Sequence, residues 1–250
     1  MDKTMNMWMK DIDAIDARES RRIYLDREID IKKMIKLKQL INKFNEEANL
    51  KISLIDDARG AFSGFKKSYG FFKGVRSVIA LKGYTGDVLL KEKLGFYGEK
   101  LVIEAVKMNL GTCWVWGTFD SKSTIFDKDD DETLICVITI GYCNNKKSFR
   151  EKLIYNITHR KTKEIDELYN SGGEQIPQWF QNGMKAVQKA PSAKNRQIVI
   201  FEYKGGKASA FVDEVEEFDL VDLGIAKLHF SVGAGGNFEF GNPGEFSFTK

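Results

Sequence analysis

Cysteine and histidine are scarce in this chain, and their scarcity excludes two kinds of structure. The 250 residues contain only five such side chains: Cys113, Cys136, Cys143, His159 and His229. An odd number of cysteines, in a chain whose first ten residues show no export signal, favours reduced thiols in a cytoplasmic protein over a disulfide framework. The two histidines lie far apart in sequence, so the close Cys/His spacing of a zinc site is missing.

Long apolar runs and an excess of one charge are missing as well. The longest apolar run, residues 134–140, is far too short to cross a bilayer. A net charge of +3 is too small to favour a nucleic-acid partner. The acidic run at 127–132 lacks the glycine turn and distant glutamate of an EF-hand loop, so it indicates a solvated loop. We therefore expect a globular protein without a metal, a membrane span or bound nucleic acid.

Hydrophobic periodicity predicts an α+β fold, with helices packed on largely antiparallel sheets. Predicted helices cover residues 11–24, 30–48, 94–108, 163–168, 177–188 and 219–230. Predicted strands cover residues 50–55, 77–81, 133–142, 198–203 and 208–212. Residues 170–173 indicate a linker, and residues 231–236 favour a flexible turn over a phosphate loop.

Three segments carry residues that suit a flavin phosphate or ring. In the first, Arg18, Ser20 and Arg22 supply guanidinium and hydroxyl groups, and a helix would place the two arginines on one face. The second, residues 109–117, is predicted as a helix exit into a turn rich in tryptophan. The third, residues 190–197, is predicted as a polar turn between a helix and a strand.

Each segment also has a simpler explanation on its residues alone. The first fits a basic turn on a surface helix, the second fits core packing of two tryptophans, and the third fits ordinary turn chemistry. Cys113, beside the tryptophans, is better explained as a small buried residue than as a reactive thiol.

Taken together and in this order, the segments resemble the nitroreductase family of FMN enzymes. The motif R-x-S-x-R-x-[FY] matches at Arg18, Ser20, Arg22 and Tyr24, and P-S-x-x-N-x-Q matches at Pro191, Ser192, Asn195 and Gln197. Residues 94–117 are similar to the family's helix with a G-x-G-[TS]-x-W exit, with Asn109 in place of the first glycine. Residues 138–142 resemble its last sheet strand. Residues 160–168 resemble its R-K-P-x-E-E-L segment, with Thr162 where proline is usual.

The resemblance implies FMN as the cofactor and NAD(P)H as the electron donor, and it gives each matched position a role. The residues implied for the FMN phosphate are Arg18, Ser20 and Arg160, with Lys161 as a weaker candidate. Arg22 would lie near N1 and O2 and stabilise the reduced, anionic flavin. The back wall would be Trp114, Val115, Trp116 and Gly117, with the Trp116 N–H near N5. The opposite side would be lined by Pro191, Ser192, Ala193, Asn195 and Gln197. No catalytic side chain is implied, because the flavin carries the chemistry.

The motifs are divided between two parts of the chain. Residues 1–170 hold the arginine motif, the tryptophan segment and Arg160, whereas residues 171–250 hold only the P-S-x-x-N turn. Family members usually carry every motif in one subunit and form a dimer with shared sites. The division resembles a fused-half branch of the family, in which two degenerate nitroreductase-like halves form a pseudo-dimer. This implies one flavin site per chain, in a monomer or weak homodimer.

The function implied is an FMN-dependent oxidoreductase. It would transfer hydride from NAD(P)H through flavin N5 to a nitroaromatic, a quinone or a similar flat acceptor, in ping-pong order. Two alternatives stay open. The chain could be a flavin-binding or sensing module without turnover, or it could catalyse a specialised reaction such as reductive dehalogenation or flavin breakdown.

Overall fold

The chain folds into helices and two sheets, as the α+β prediction requires. A computed structural model describes residues 9–62, 71–149, 151–153, 161–213 and 216–248. The α-helices are α1 Asp11–Ala17, α2 Ile31–Ala48, α3 Arg59–Phe62, α4 Leu90–Lys107, α5 Gln178–Val187 and α6 Asp219–Ala234. The strands are β1 Ser53–Ile55, β2 Ser77–Tyr84, β3 Gly111–Val115, β4 Glu132–Gly141, β5 Tyr169–Asn170, β6 Ile200–Lys204, β7 Lys207–Phe211, β8 Gly236–Phe238 and β9 Gly244–Phe248. Within these ranges no helix has both the length and the apolar character needed to cross a membrane.

The two sheets repeat one topology. The first has the strand order β1-β2-β4-β3 and the second has the order β5-β6-β7-β9-β8. In each sheet two antiparallel neighbours are followed by a long helix, α4 or α6. After α4 the chain forms the outer strand β3 and then β4, which pairs between β2 and β3. After α6 it forms the outer strand β8 and then β9, which pairs between β7 and β8. Only β5 pairs in parallel among the described strands. This repeat is the arrangement expected of two related halves.

Residue contacts divide the chain into two compact units. The first consists of Met1–Met9, Ala17–Leu90 and Leu101–Ile157, and the second consists of Lys10–Asp16, Lys91–Lys100 and Thr158–Lys250. The middle of helix α4 therefore belongs to the second unit, although its ends belong to the first. A division of the chain at residue 170 stays a prediction.

The first unit is built on the buried strands β2 and β4. Val78 and Ala80 of β2 and Val137 of β4 are fully buried and share one apolar cluster. Ala80 lies directly opposite Val137 in the antiparallel register. Strands buried on both faces appear in sequence as continuous apolar runs, which is why both were predicted correctly.

The second unit has an aromatic core around helix α6. Phe201 of β6 and Phe230 of α6 are fully buried and stacked, with ring centroids 4.9 Å apart. Phe180 of α5 and Phe238 of β8 meet the Phe230 ring edge to face. Edge-to-face and offset contacts are the geometries that aromatic rings prefer, and these large side chains give a short segment of chain a sizeable core.

Most predicted elements are confirmed, and the differences have local causes. The helices predicted at 30–48, 94–108, 177–188 and 219–230 exist with shifted ends, as do the strands at 77–81 and 133–142 and the hairpin at 198–212. The prediction of a helix at 163–168 is wrong, since only one 3₁₀ turn forms there, at Ile165–Glu167. The strand predicted at 50–55 is confined to β1. The turn predicted at 231–236 is also wrong, because α6 continues to Ala234 and ends at Gly235, whose φ is 77°.

Helix α6 crosses the middle of α4 at glycines, and this contact predicts a loss of stability. A Cβ on Gly224 would collide with the Glu92 carbonyl oxygen, which is backbone and cannot move aside. Gly224→Ala should therefore destabilise the fold by about 1–3 kcal/mol, because overpacking forces the backbones apart. Chemical denaturation measures the change. Gly60→Ala is the matched control, since nothing lies within 4 Å of a Cβ there; equal stability of the two variants would contradict the close crossing.

Candidate functional site

Residues 18–24, which contain the arginine motif, form an extended segment rather than part of a helix. Helix α1 stops before the motif. The Arg21 N–H donates to the Thr112 carbonyl oxygen at 2.8 Å, so this segment runs beside strand β3. The helix predicted at 11–24 is thus too long, and the two outer arginines do not share a helix face. Tertiary hydrogen bonds satisfy the backbone here and override the local helix preference.

The predicted phosphate-binding side chains gather around Cys113 in strand β3. Ser20 pairs with the residue before Cys113 in a parallel bridge. Burial raises the pKa of the Cys113 thiol, while the charges of Arg22 and Arg18 and a hydrogen bond with Ser20 act to lower it. Cys113 is buried, as expected. The backbone of the arginine motif therefore runs next to strand β3, which leads into the predicted back wall.

Two of the three arginines in this segment have different surroundings. Arg21 is buried and forms an ion pair with Glu151, with an Nε–Oε1 distance of 3.2 Å. Arg22 is half-buried, and no carboxylate among the described residues pairs with its guanidinium. A partly buried cation without a counter-ion attracts an anion, which is the property required near a phosphate or a reduced flavin ring.

A buried carboxylate, Glu151, fixes the backbone of the motif. Its Oε1 accepts the N–H groups of Arg22 and Ile23 at 3.0 and 3.2 Å, and its Oε2 accepts the Ser148 N–H at 3.0 Å. Burial alone would raise the pKa of Glu151. The hydrogen bonds from Arg22, Ser148 and Arg21 outweigh burial and lower the pKa to about 2. An ionised carboxylate that accepts several N–H groups is a strong anchor.

The aromatic position of the motif is a second anchor. The Tyr24 hydroxyl donates to the Arg21 carbonyl oxygen at 2.8 Å and lies 2.7 Å from the Thr139 hydroxyl in strand β4. Tyr24 is buried, and burial raises the pKa of its phenol well above the ordinary value. This residue therefore ties the extended segment to the sheet and is not available to a ligand.

The predicted tryptophan turn is partly a strand. Gly111–Val115 forms β3, paired with β4, and the turn begins only at Trp116. Trp114 and Trp116 are half-buried, Val115 is buried and Gly117 is exposed. The two tryptophans are thus neither fully buried nor exposed, and their role as a wall for the flavin ring stays a prediction. A half-exposed aromatic side chain is suited to contact with a flat ligand.

The Pro191–Gln197 segment, in the second unit, is a tight turn held by its own residues. The Gln197 N–H donates to the Ser192 hydroxyl oxygen at 3.0 Å. Three residues that are not glycine adopt left-handed backbone angles: Lys194 (φ 53°), Asn195 (φ 52°) and Gln197 (φ 50°). Such residues cluster where the surrounding structure imposes a conformation, often at ligand sites.

Two predicted cofactor residues in this turn already have partners in the second unit. The Ala193 N–H donates to both oxygens of Asp222 in α6, at 3.0 and 3.2 Å. The Gln197 side chain is buried. Its Oε1 accepts the Lys163 N–H at 3.1 Å, and its Nε2 donates to the carbonyl oxygens of Asn195 and Lys161 at 3.2 and 3.4 Å. These contacts shape the turn, and they leave Pro191, Ser192 and Asn195 half-buried along it.

The remaining two predicted phosphate ligands are placed unequally. Lys161 is exposed, and the bond to its carbonyl oxygen brings it beside Gln197. Arg160 lies outside the described residues. The structure thus brings Arg18, Ser20 and Arg22 together around Cys113 within the first unit. Separately, it brings Lys161 together with the Pro191–Gln197 turn within the second unit.

Sequence reasoning missed the two carboxylates that organise these segments. Glu151 belongs to no recognisable motif, and in sequence it resembles a charged residue on the surface. Asp222 carried a signal, because helix α6 is otherwise apolar on nearly every side and a charged residue there must be buried. Both are 5% exposed or less.

A family model and a solved structure both match this chain to nitroreductases. A sequence model of the family described as "Putative TM nitroreductase" matches residues 11–234. The crystal structure of a "putative nitroreductase" from Thermotoga maritima is similar to this chain at 22% identity, with a TM-score of 0.66. That match covers 95% of this chain and 93% of the Thermotoga chain. At this identity the likeness shows the fold.

Smaller proteins match only part of the chain. A "putative NADH oxidase" from Clostridium acetobutylicum is 20% identical over 54% of this chain and 90% of its own, with a TM-score of 0.45. An "FMN-dependent nitroreductase" from Clostridium difficile is 18% identical over 59% of this chain and 96% of its own, with a TM-score of 0.45. No curated protein sequence matched the chain.

Proposed function

Because the chain belongs to the nitroreductase family described as "Putative TM nitroreductase", we propose that it is an FMN-dependent oxidoreductase. The donor is NAD(P)H and the acceptor is a nitroaromatic, a quinone or a similar flat molecule. Bound FMN would supply the hydride-transfer chemistry between donor and acceptor. The observation that carries the proposal is the gathering of Arg18, Ser20 and Arg22 around Cys113 in strand β3, with Arg22 lacking a carboxylate partner among the described residues.

The chain's own groups fit the needs of this cofactor. Arg18, Ser20 and Arg160 would hold the phosphate, and Lys161 would be a weaker ligand. Charge-assisted hydrogen bonds are the strongest that a phosphate makes. Arg22 would supply the positive charge that stabilises a reduced, anionic flavin. Nothing lies within 4 Å of a Cβ placed on Gly117, so the space directly beside this residue is open. We assign the wall for the flavin ring to Trp114, Val115 and Trp116, and we assign further contacts with the cofactor to Pro191, Ser192, Ala193, Asn195 and Gln197.

The repeated topology supports one flavin per chain rather than two. In the second sheet, β8 corresponds to β3, so residues 239–243 correspond to the segment after Val115. A buried Lys227–Glu92 ion pair fills that region, because Lys227 Nζ donates to the Glu239 and Gly241 carbonyl oxygens at 3.1 and 2.6 Å. The counterpart of the P-S-x-x-N turn is equally reduced, since only residues 49–52 join α2 to β1.

Anaerobic spectroscopy tests the redox role. Protein reconstituted with FMN should lose its absorbance near 450 nm when NADH or NADPH is added, and a quinone should restore it. A protein that binds FMN but never bleaches with either nucleotide would be a binding or sensing module. A protein that fails to take up FMN would contradict the proposal altogether.

Arg18→Ala should weaken FMN binding by roughly 10- to 100-fold. A hydrogen bond to a charged group contributes about 1.5–3 kcal/mol, and each 1.4 kcal/mol changes a dissociation constant tenfold. Quenching of flavin fluorescence on binding measures the constant. Arg27→Ala is the matched control, because Arg27 is exposed and its guanidinium lies over the Tyr142 ring, 4.3 Å from the centroid. Equal weakening in both variants would refute the phosphate role of Arg18.

A further inference from the structure

The turn at residues 191–197 needs an anchor outside itself. Lys194, Asn195 and Gln197 all hold left-handed backbone angles, which residues with side chains adopt only when neighbouring contacts enforce them. The hydrogen bond between Gln197 and Ser192 closes the turn on itself. Gln197 ties the end of the turn to Lys161 and Lys163, and Arg196 ties it to Asp219 and Glu216. These contacts leave the Ser192–Ala193 end of the turn to be fixed by another group.

Asp222 provides that anchor from the first turns of helix α6. Both carboxylate oxygens lie within hydrogen-bond distance of the Ala193 N–H, at 3.0 and 3.2 Å. The Asp222 side chain is buried, and the helix that carries it is fixed two residues later, where Gly224 packs against the backbone at Glu92. The anchor is therefore rigid, and it holds the turn at the residue that follows Ser192.

The charges around Asp222 leave it without a direct ion-pair partner among the described residues. Arg196 attracts it, but this guanidinium pairs with Asp219 and with Glu216, the latter at an N–O distance of 2.9 Å. Burial raises the pKa of Asp222 to about 7. The Ala193 N–H and Arg196 oppose this rise, and Asp219 and Glu216 add to it. Near neutral pH the carboxyl group therefore exchanges a proton with the solvent.

We propose that Asp222 is a positioning residue for the flavin site, and that its carboxylate sets the turn that presents Ser192 and Asn195 to the cofactor. This inference rests on the proposed function. An ionised carboxylate binds an N–H more strongly than a neutral carboxyl does. Protonation of Asp222 loosens the Ala193 contact, so flavin is held more tightly above neutral pH than below it.

An amide titration tests the anchor without any cofactor. In the wild-type protein the ¹⁵N–¹H resonance of Ala193 should shift with pH with a midpoint near 7. In Asp222→Asn it should not shift, although the amide oxygen can still accept the bond. Asp166→Asn, an exposed position in the same unit, should keep the wild-type titration. A wild-type Ala193 resonance that does not move between pH 5.5 and 8.5 would overturn the proposal, and this measurement needs no variant to fold.

FMN binding measured over the same pH range tests the positioning role. The FMN phosphate itself gains negative charge over this range, so both proteins should bind FMN more tightly at pH 8 than at pH 6. The gain in affinity should be about three- to tenfold larger for the wild type than for Asp222→Asn. Identical pH profiles would overturn the role of Asp222. A titrating Ala193 in a protein that binds no FMN would support the anchor and count against the proposed function instead.

Discussion

Glu151→Ala should lower the free energy of unfolding by about 3–5 kcal/mol, the range measured when one member of a buried ion pair is removed. The substitution leaves the Arg21 guanidinium buried without its carboxylate and removes the acceptor of the Arg22 and Ile23 N–H groups. The Ser148 N–H loses its partner as well. Urea denaturation at pH 7 measures the loss.

The pH dependence identifies the cause of that loss. Hydrogen bonds lower the pKa of Glu151 to about 2 in the folded protein, against 4.5 for the unfolded chain. Its stabilisation is therefore complete above about pH 5, and it disappears as the pH falls through 4.5 towards 2. The difference in unfolding free energy between the wild type and Glu151→Ala should therefore become smaller as the pH falls from 4.5 towards 2.

Two controls separate the buried pair from ordinary surface charge. Asp57→Ala breaks an exposed carboxylate–arginine pair with Arg59 in the same unit, and it should change stability far less. Glu151→Gln keeps an oxygen for the two backbone N–H groups and should recover part of the loss. If Glu151→Ala were no less stable than Asp57→Ala, the anchoring of the arginine motif would be refuted.

Lys227→Met, in the second unit, should also lower the free energy of unfolding by about 3–5 kcal/mol. Lys227 and Glu92 are buried with 1% and 2% of their side chains exposed, and removal of the ammonium leaves Glu92 without its counter-ion. Burial already raises the pKa of Glu92 in the intact pair. Without Lys227 the pKa of Glu92 rises further. The loss of unfolding free energy is therefore greatest at pH values above 4.5, the pKa of Glu92 in the unfolded chain, and it shrinks as the pH falls towards 4.5.

The double variant Glu92→Gln/Lys227→Met distinguishes a buried charge from lost packing. It removes both charges and keeps an oxygen to accept the Gly241 N–H, which donates to Glu92 at 2.8 Å. It should be more stable than Lys227→Met alone, because no unpaired charge stays buried. Lys207→Met, at an exposed pair with Glu245, should have little effect. A double variant as unstable as the single one would show that packing, and not charge, causes the loss.

The sequence predicts elements well where burial leaves a simple pattern. Helix α4 and strand β4 follow from apolar residues at helical spacing and from a continuous apolar run. Strands β8 and β9 escape prediction because they are short and glycine-rich, and their stability comes from pairing with each other and with β7.

The candidate site is predictable in its residues and less so in its shape. The motif residues were found, but residues 18–24 were assigned to a helix because nothing local reveals that Thr112 and Glu151 receive their N–H groups. Buried charges are hidden for the same reason. In sequence Glu151 resembles a solvated carboxylate, and the apolar helix around Asp222 indicates its burial but not its partner. Only tertiary structure shows that each holds a backbone segment of the site.

The amount of FMN bound per chain tests the central claim most directly. The protein is reconstituted with excess FMN and freed of unbound flavin by gel filtration. Flavin is then released by heat, and its fluorescence is divided by the chain concentration from amino-acid analysis. One FMN per chain is the predicted result, with less FMN retained by Arg18→Ala and the full amount retained by Arg27→Ala. Two FMN per chain, or none, would contradict a single flavin site in one chain.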